Sequence, residues 1–339
     1  MKLLIRSYSS SKKVFQRDVF DRSLKKRQKQ WSLTLEDAEY YDYLRDEAAH
    51  RLVDRLEDIS RKFPLALDLG SHRGHVLKSL IKSSTDIEEF GVIGGIEKLL
   101  QCDTTEAAVS ASHELSLLND TKALGIDIES TIADEEELHL SGFDDESFNL
   151  VTSSMNLHWV NDIPQALRNI QKILKPDGVF IGCMIGGTTL QELRHCLYLA
   201  EQERAGGFSP HVSPLTLPSD VAGLLQGAGF NLPTVDIETI QIGYPNMFVL
   251  MEHLQKMGEA NASLARTFPV DRDTFLSAAA LYEHLYPVDV DDKESGIVAT
   301  FQLIYMIGWK PDRSQPLPKK RGSATRSLKE LSVEGKEDK

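Results

Sequence analysis

A short segment around residue 70 constrains the fold of this chain more than any other feature of its sequence. The apolar run Leu65–Leu69, interrupted by Asp68, leads into Gly70, and Gly74 follows. Glycine permits the positive φ of a tight turn and lets the next helix approach a buried strand closely. Residues 76–81 have the composition of such a helix. The pattern predicts a strand, a turn and a helix, which is how a doubly wound α/β domain opens its ligand crevice.

The polar residues of this turn indicate a cofactor chemistry. The dinucleotide pattern G-x-G-x-x-G places its glycines over a pyrophosphate. Here Asp68 precedes the first glycine, where it can accept hydrogen bonds from an ammonium or hydroxyl group. The arrangement resembles the D-x-G-x-G-x-G loop of S-adenosylmethionine (SAM) methyltransferases, whose cofactor has no phosphate. His72 stands at the middle glycine position.

The rest of the chain predicts alternating strands and helices, and therefore a parallel sheet. Strands are expected at 65–69, within 90–108, at 148–153, at 179–185 and, at the sheet edge, at 297–309. Helices are expected within 35–59 and at 163–174, 190–203, 219–227 (with Ser219 as N-cap), 248–257 and 272–285. The last four form a predicted helical insertion at about 190–290 in a domain spanning 35–310.

The charge distribution predicts the organisation of the two ends. Residues 1–30 contain ten Lys or Arg and two acids, whereas the remainder carries a net charge of −21. The basic, Ser-rich and acid-free residues 1–17 predict a mitochondrial transit peptide; a disordered basic arm is the alternative. Residues 18–34 continue as a basic segment, and 311–339, rich in Pro, Ser and charge, read as a flexible tail.

Several classes of function receive no support. The basic excess is absent from the folded body, which argues against nucleic-acid binding. No apolar run approaches the ~18 residues of a membrane span. The three cysteines form no C-x-x-C pair, and no histidine has an acid two positions on, so the sequence predicts neither a disulfide scaffold nor a metal site. A G-x-S-x-G hydrolase motif is also missing from the sequence.

Acids and polar side chains after the strands are candidates for the crevice. We expect Asp103 at the end of the second strand to bind ribose hydroxyls, with Glu97 as the rival. Asp134 and Glu135 lie in a loop that could present an acid to an adenine amino group, although such a run is also typical of a solvated turn. After the fourth strand, the candidate catalytic or substrate-binding residues are Asn156, His158 and Trp159. His158 could serve as a general base or merely cap a helix.

Taken in order, these motifs resemble one family, the mitochondrial methyltransferase-like assembly factors of respiratory complex I. The similarity runs over roughly residues 19–325. The matching segments are 19–31, 133–136, 157–162, 173–182, 206–211, the Met-Glu-His-Leu-Gln-Lys-Met-Gly run ending at 258, 305–310 and 321–325. In two places the chain departs from the family: His72 replaces a glycine in Cys-Gly-Arg-Gly, and Asn149 replaces an acid.

The resemblance implies an α/β fold of the SAM-dependent methyltransferase (Rossmann-like) type. It also implies a location in the mitochondrial matrix at the inner membrane. The implied activity is arginine hydroxylation of an iron–sulfur subunit in the early complex I intermediate, with SAM as cofactor. The cofactor residues it implies are Asp68, Gly70, Gly74, Asp103 and Asp134. Methyl transfer to a protein or carrier protein, and a non-catalytic chaperone role, are the alternatives that the residues leave open.

An arginine from a partner protein requires an acidic, partly aromatic mouth over the crevice. The candidate ring contacts are Trp159, Phe208 and Tyr305, and the candidate carboxylates are Asp134, Glu135 and Asp162. Peripheral contact with the inner membrane is expected through Lys25, Lys26, Arg27 and Lys29.

Overall fold

The computed structural model describes residues 18–85, 92–117, 124–138, 141–207, 209–266, 270–290, 294–316 and 322–323. The strands are β1 Leu65–Leu69, β2 Lys98–Asp103, β3 Asp127–Ile132, β4 Phe148–Ser154, β5 Leu174–Ile185, β6 Asn231–Tyr244, β7 Pro287–Val290 and β8 Glu294–Trp309. The helices are α1 Arg22–Leu33, α2 Tyr43–Glu57, α3 His75–Thr85, α4 Glu106–Ser116, α5 Ile163–Ile173, α6 Gln191–Ala205, α7 Pro218–Gly227, α8 Met247–Lys256 and α9 Arg272–Leu285. The predicted transit segment 1–17 and most of the predicted tail lie outside the described residues.

One mixed sheet organises the domain in the order β3-β2-β1-β4-β5-β8-β6, with β7 paired to β8. The five strands from β3 to β5 are parallel, whereas β8 is antiparallel to β5 and to β6. The chain order reverses between β1 and β4, and ligands of open α/β sheets bind at the carboxyl ends of strands beside such a switch point. The predicted α/β doubly wound fold is confirmed.

Side chains alternate across this sheet and fill a core on each face. In β1, Ala66 packs with α2 and α3, whereas Leu67 and Leu69 face the opposite layer, which contains α5 and α7. Helix α5 shows how the sequence defines such a layer. Asp162 caps it by accepting a hydrogen bond from the Gln165 N–H at 2.9 Å, and its apolar residues at 167, 170 and 173 are buried.

The carboxyl-terminal part of the sheet differs from the prediction. The strand expected at 297–309 is present, but the edge position was wrong, since β8 lies between β5 and β6. The range 190–290 holds the four expected helices and also β6 and β7, which we did not predict. Both strands form their hydrogen bonds with β8, so their pairing depends on a later segment of the chain. The N-cap of α7 is Leu217 rather than Ser219, because Pro218 takes the first helical position.

Helix α1 is fixed over the carboxyl edge of the sheet by its own start. Asp21 caps it by accepting from the Leu24 N–H at 2.9 Å, and the Asp21 N–H donates to the Ala262 carbonyl at 2.8 Å. The helix packs on α4 and α8. Among the described residues, no helix combines the length and the apolar character that crossing a membrane requires.

Candidate functional site

The turn after β1 and the end of β2 form one connected structure at the carboxyl edge of the sheet. The Gly70 N–H donates to the Cys102 carbonyl at 2.8 Å, and the His72 N–H donates to Asp103 Oδ2 at 3.0 Å. Asp103 therefore lies beside the glycine turn, as expected. Glu97 precedes β2 and lies at the opposite end of that strand, so of the two acids only Asp103 reaches the crevice.

Both glycines of the turn are required by its geometry. Gly70 has φ +78° and Gly74 has φ +73°, a region that side chains disfavour. A Cβ on Gly70 would lie 2.3 Å from Asn156 Cγ, and one on Gly74 would lie 2.7 Å from Leu115 Cδ2. Asn156 therefore closes directly over the turn, which links the segment after β4 to the candidate cofactor loop.

Asp68 lies at the floor of this region and is fully buried. Its Oδ1 accepts a hydrogen bond from Thr152 Oγ1 at 3.0 Å. Burial raises the pKa of Asp68 to about 7, although hydrogen bonds from Thr152 and Gln101 act in the opposite direction. A cation bound nearby would stabilise the ionised form, so this carboxyl group is suited to an ammonium or sulfonium ligand.

Basic side chains of α1 contact three of the acids that we expected to hold the cofactor. Lys29 Nζ lies 2.5 Å from Asp103 Oδ2. Arg22 lies 2.8 Å from Asp134 Oδ1 and 2.7 Å from Glu135 Oε1, and its Nη1 also donates to the Trp159 carbonyl. Burial alone would lower the pKa of Arg22, but these two carboxylates raise it above its usual range. The acids after β2 and β3 are thus paired with cations in this structure.

A buried polar network surrounds the segment after β4. Glu259 accepts hydrogen bonds from His158 Nε2 at 3.0 Å and Trp159 Nε1 at 2.7 Å, and it pairs with Arg45. Burial alone would raise the pKa of Glu259, yet Arg45 and His158 hold it well below its usual range. Burial lowers the pKa of His158. The sequence predicted His158 and Trp159 as candidates but missed Arg45 and Glu259, which come from distant segments.

Lys25 covers the face of the predicted aromatic contact. Its Nζ lies 3.3 Å from the centroid of the Trp159 ring and donates to the carbonyls of Gly258 and Ala260 at 2.9 and 2.7 Å. Burial lowers the pKa of Lys25 to about 7. The Lys25 amino group therefore already covers the face of the Trp159 ring. An incoming guanidinium would make the same kind of contact.

His72 does not project into the crevice. It adopts φ +51°, and its ring stacks on that of His75 with centroids 5.4 Å apart. The ring is buried at the base of α3. The side chain at the middle glycine position is thus accommodated beside α3, and the loop keeps its backbone contact with Asp103.

Other predicted contacts lie elsewhere. Tyr305 is in the core, with the Arg55 guanidinium 3.7 Å from its ring centroid, so its predicted place at the substrate mouth was wrong. Asp162 caps α5. Phe208 lies outside the described residues. Of the four basic residues expected at the membrane, Lys25 and Lys29 are buried by their contacts with the body, which leaves Lys26 and Arg27 exposed.

A cavity of about 200 Å³ remains between α1 and the strand ends. Its lining includes Arg22, Lys29, Thr104, Asp134 and Asn156. The carboxylates suit SAM, since they match a ribose diol and an adenine amino group. The glycine turn does not line this cavity, because the Asn156 side chain lies over Gly70. Because Arg22 and Lys29 hold those carboxylates, the cofactor would enter only as α1 side chains give way.

Comparison with known proteins defines the class. A family model described as a methyltransferase domain matches residues 41–235. Among solved structures, the YcgJ protein from Bacillus subtilis has the same fold, with a TM-score of 0.51 and 15% identity over 78% of this chain and 99% of that protein. The fold and the strand-end crevice are therefore those of a methyltransferase-domain protein.

Relatives at higher identity give the family within that class. A Danio rerio protein named "Arginine-hydroxylase NDUFAF5, mitochondrial" is 46% identical over 331 residues, 98% of this chain and 94% of that protein. The Homo sapiens protein of the same name is 48% identical over 314 residues, 93% of this chain and 83% of that protein. The chain belongs to the family of these mitochondrial NDUFAF5 arginine hydroxylases, which confirms the predicted resemblance.

Proposed function

We propose that this chain is a mitochondrial protein arginine hydroxylase of methyltransferase fold that acts in the assembly of respiratory complex I. Its substrate would be an arginine of an iron–sulfur subunit in the early assembly intermediate. The identity of 46–48% to proteins named arginine hydroxylase extends over 93–98% of the chain.

The structural observation that carries the proposal is the binding of a guanidinium in the crevice. Arg22 of the chain itself makes hydrogen bonds to Asp134 and Glu135, with Glu136 at 3.7 Å. Carboxylates arranged around a planar guanidinium are the geometry by which proteins recognise arginine. The pocket therefore has the chemistry to hold a substrate arginine if Arg22 withdraws from it.

The same edge of the sheet would bind SAM. We assign Asp103 to the ribose hydroxyls, Asp134 to the adenine amino group, and Asp68 to the ammonium or sulfonium charge, with Gly70 and Gly74 permitting close approach. When bound, SAM presents a positively charged sulfonium with an electrophilic methyl group. Asp134 would then turn to the adenine, while Glu135 and Glu136 hold the arginine, so that cofactor and substrate can be bound together.

Hydroxylation inserts one oxygen atom into a C–H bond of arginine and requires an oxidant such as dioxygen together with two electrons. The crevice residues would bind and orient the arginine for that reaction. Buried Trp159 and Glu135 would exclude water and hold the guanidinium, while the network of Glu259, His158 and Arg45 would fix the Trp159 ring. Preorganised positioning of this kind is a large part of enzymatic rate enhancement.

Mass spectrometry of the candidate complex I subunit tests the activity. The subunit would be isolated from cells that lack the protein and from cells rescued with wild type, Glu135→Gln or Glu137→Gln. Glu135 is buried beside Arg22, whereas Glu137 is exposed in the same loop. We expect an arginine mass increase of about 16 Da with wild type and Glu137→Gln, reduced with Glu135→Gln. An increase of about 14 Da would instead indicate methyl transfer, and no change would indicate a chaperone.

Calorimetry with SAM and its demethylated product tests the cofactor. Full-length wild type should bind, and Asp68→Ala should bind more weakly, because the acid nearest the expected cationic group is lost. Absence of binding heat for wild type with both compounds would remove SAM from the proposal and favour an apo scaffold.

Location and membrane contact follow from the basic start of the chain. We expect residues 1–35 to direct a fluorescent reporter to mitochondria, since the inner-membrane potential attracts positive charge. Peripheral contact with anionic lipid would use exposed Lys26 and Arg27. Sedimentation with anionic vesicles should therefore fall on raising the salt and with Lys26→Ala/Arg27→Ala, whereas a diffuse cytosolic reporter would contradict the proposed compartment.

A further inference from the structure

Two histidines and one aspartate converge beside the glycine turn. Asp42, at the start of α2, and His72 and His75, at the start of α3, each direct one ligand atom to a common point, and the three atoms lie within 4.8 Å of one another. His72 Nδ1 is 3.2 Å from His75 Nε2, and His75 Nε2 is 3.8 Å from Asp42 Oδ1. Two ligands of one tetrahedral metal at ~2.05 Å are separated by about 3.3 Å, so the nitrogen spacing suits shared coordination.

The surroundings orient these atoms in the way that metal sites require. His75 Nδ1 lies 2.6 Å from Asp46 Oδ1, and this hydrogen bond leaves the lone pair of His75 Nε2 directed at the cluster. Carboxylate–histidine pairs of this kind support metal ligands in many proteins. Asp42 Oδ2 lies 3.1 Å from Arg73 Nε, which leaves Oδ1 facing His75.

The cluster is buried and strained. All three side chains are buried. His72 adopts φ +51°, a backbone conformation that is strained for a non-glycine residue and is often found at functional positions. A glycine at 72 would avoid the strain but would supply no ligand.

We propose that Asp42, His72 and His75 bind one divalent first-row transition-metal ion. Two imidazoles and a carboxylate suit Zn²⁺, Co²⁺ and Fe²⁺, and they leave one or more positions for water. The sequence predicted no metal site, because the metal-binding motifs considered have their ligands close together in one segment. Here Asp42 comes from α2, about 30 residues before the two histidines.

The site is independent of the proposed hydroxylase function. The resemblance assigns glycine to position 72 in the family, so the histidine ligand is a property of this chain rather than of the shared activity. Arg73 Nε and Lys78 Nζ lie 3.1 and 3.9 Å from Asp42 Oδ2. Their positive charges repel a metal cation and will weaken its binding. We therefore assign metal binding to the cluster and no reaction step.

Equilibrium dialysis with elemental analysis tests the site on the full chain, with any purification tag removed. Metal-free protein would be dialysed against Zn²⁺ and, separately, Co²⁺, whose visible absorption reports nitrogen and oxygen ligation. The variants are His72→Gly, His75→Gln and Asp46→Asn, with exposed His113→Gln as the matched control. His72→Gly is informative because glycine accepts the backbone conformation and should leave the fold intact.

We expect one equivalent of metal for wild type and His113→Gln. The metal affinity should fall by about tenfold or more in each of His72→Gly, His75→Gln and Asp46→Asn. Asp46→Asn acts indirectly, because Asp46 orients the His75 ring. The melting temperature of each variant shows that it is folded. Equal binding by wild type and folded His72→Gly, or loss of binding in His113→Gln, would overturn the site. In that case the 3.2 Å contact is an ordinary hydrogen bond between two imidazoles.

Discussion

Lys29 of α1 and Asp103 at the end of β2 form an ion pair of 2.5 Å at the position where a ribose would bind. Both side chains are buried. The pair connects the basic segment 18–34 to the crevice. Arg22 forms a similar ion pair with Asp134, which follows the neighbouring strand β3. Helix α1 thus pairs its cations with the two acids that we propose for the ribose and the adenine.

Replacing Lys29 by methionine should strengthen SAM binding. The change keeps the length of the side chain and removes its charge. Asp103 is then buried without its cation, so a hydrogen bond from a ligand hydroxyl to this carboxylate becomes more favourable. We expect affinity to rise by about fivefold, which corresponds to about 1 kcal/mol. Calorimetry measures the effect, and exposed Arg27→Met on the same helix is the control. Weaker binding would show that Lys29 belongs to the cofactor site.

Removing Arg22 should open the acidic pocket to free arginine. Arg22→Met should let N-acetyl-arginine amide bind more tightly than it binds wild type, because Asp134 and Glu135 lose their internal partner. The lysine analogue should gain less, since it cannot bind two carboxylates in the bidentate geometry of a guanidinium. Titration by NMR compares the two ligands, with Arg27→Met as the control. Equal gains for both ligands would indicate a simple charge effect.

Asp68 should make stability depend on pH. Burial raises its pKa to about 7, so the folded state holds this proton more strongly than the unfolded chain, whose Asp pKa is near 3.8. The stabilisation is fully present below about pH 4 and is lost as the pH rises through about 7. Asparagine does not ionise, so Asp68→Asn should not lose stability over this pH range. Above pH 7 its free energy of unfolding should exceed that of wild type by at most about 4 kcal/mol.

Chemical denaturation from pH 4 to 8 measures the difference. The Asn side chain can still accept the Thr152 hydrogen bond. Asp144→Asn, at an exposed position, should leave the pH dependence unchanged. A constant difference between Asp68→Asn and wild type over this range would show that Asp68 does not titrate there.

Neutralising Glu259 should destabilise the fold strongly. Its carboxylate balances the buried charge of Arg45 and accepts from Trp159 and His158. Glu259→Gln leaves Arg45 without its counter-ion, and breaking a buried pair costs about 3–5 kcal/mol. Urea denaturation measures the loss, with exposed Glu252→Gln as the control. A loss below about 1 kcal/mol would mean that water already solvates this network.

The local patterns of the sequence were sufficient to predict the centre of the fold. The β1 run, Gly70 and Gly74 predicted a strand, a positive-φ turn and a helix, and all three are present. Because the carboxyl ends of parallel strands meet at one edge, the chain order placed Asp103 near that turn. Asp134 was expected only in a loop, since the strand before it, β3, was not predicted. The structure brings both acids to the edge, and their roles toward SAM stay predictions.

Two signals in the sequence were available but were not used. Residues 234–242 are rich in β-branched residues that alternate with polar ones except at Glu238-Thr239, which is typical of a strand and would have predicted β6. Arg22, Lys25 and Lys29 have helical spacing that puts all three on one face, with Arg27 on the other. That spacing would have separated the three cations that contact the body from exposed Arg27.

The partners of these side chains were decided only by the tertiary structure. Strand composition does not reveal that β8 inserts between β5 and β6, since pairing depends on hydrogen bonds between segments far apart in sequence. Nor does it reveal that Glu259 meets His158, or that Asp42 meets His75, because a buried charge is tolerated only where a distant partner compensates it. The sequence by itself determined the strand–turn–helix unit and the edge where ligands bind, through local conformational preference and chain order. The contacts that fill this edge were decided by long-range packing.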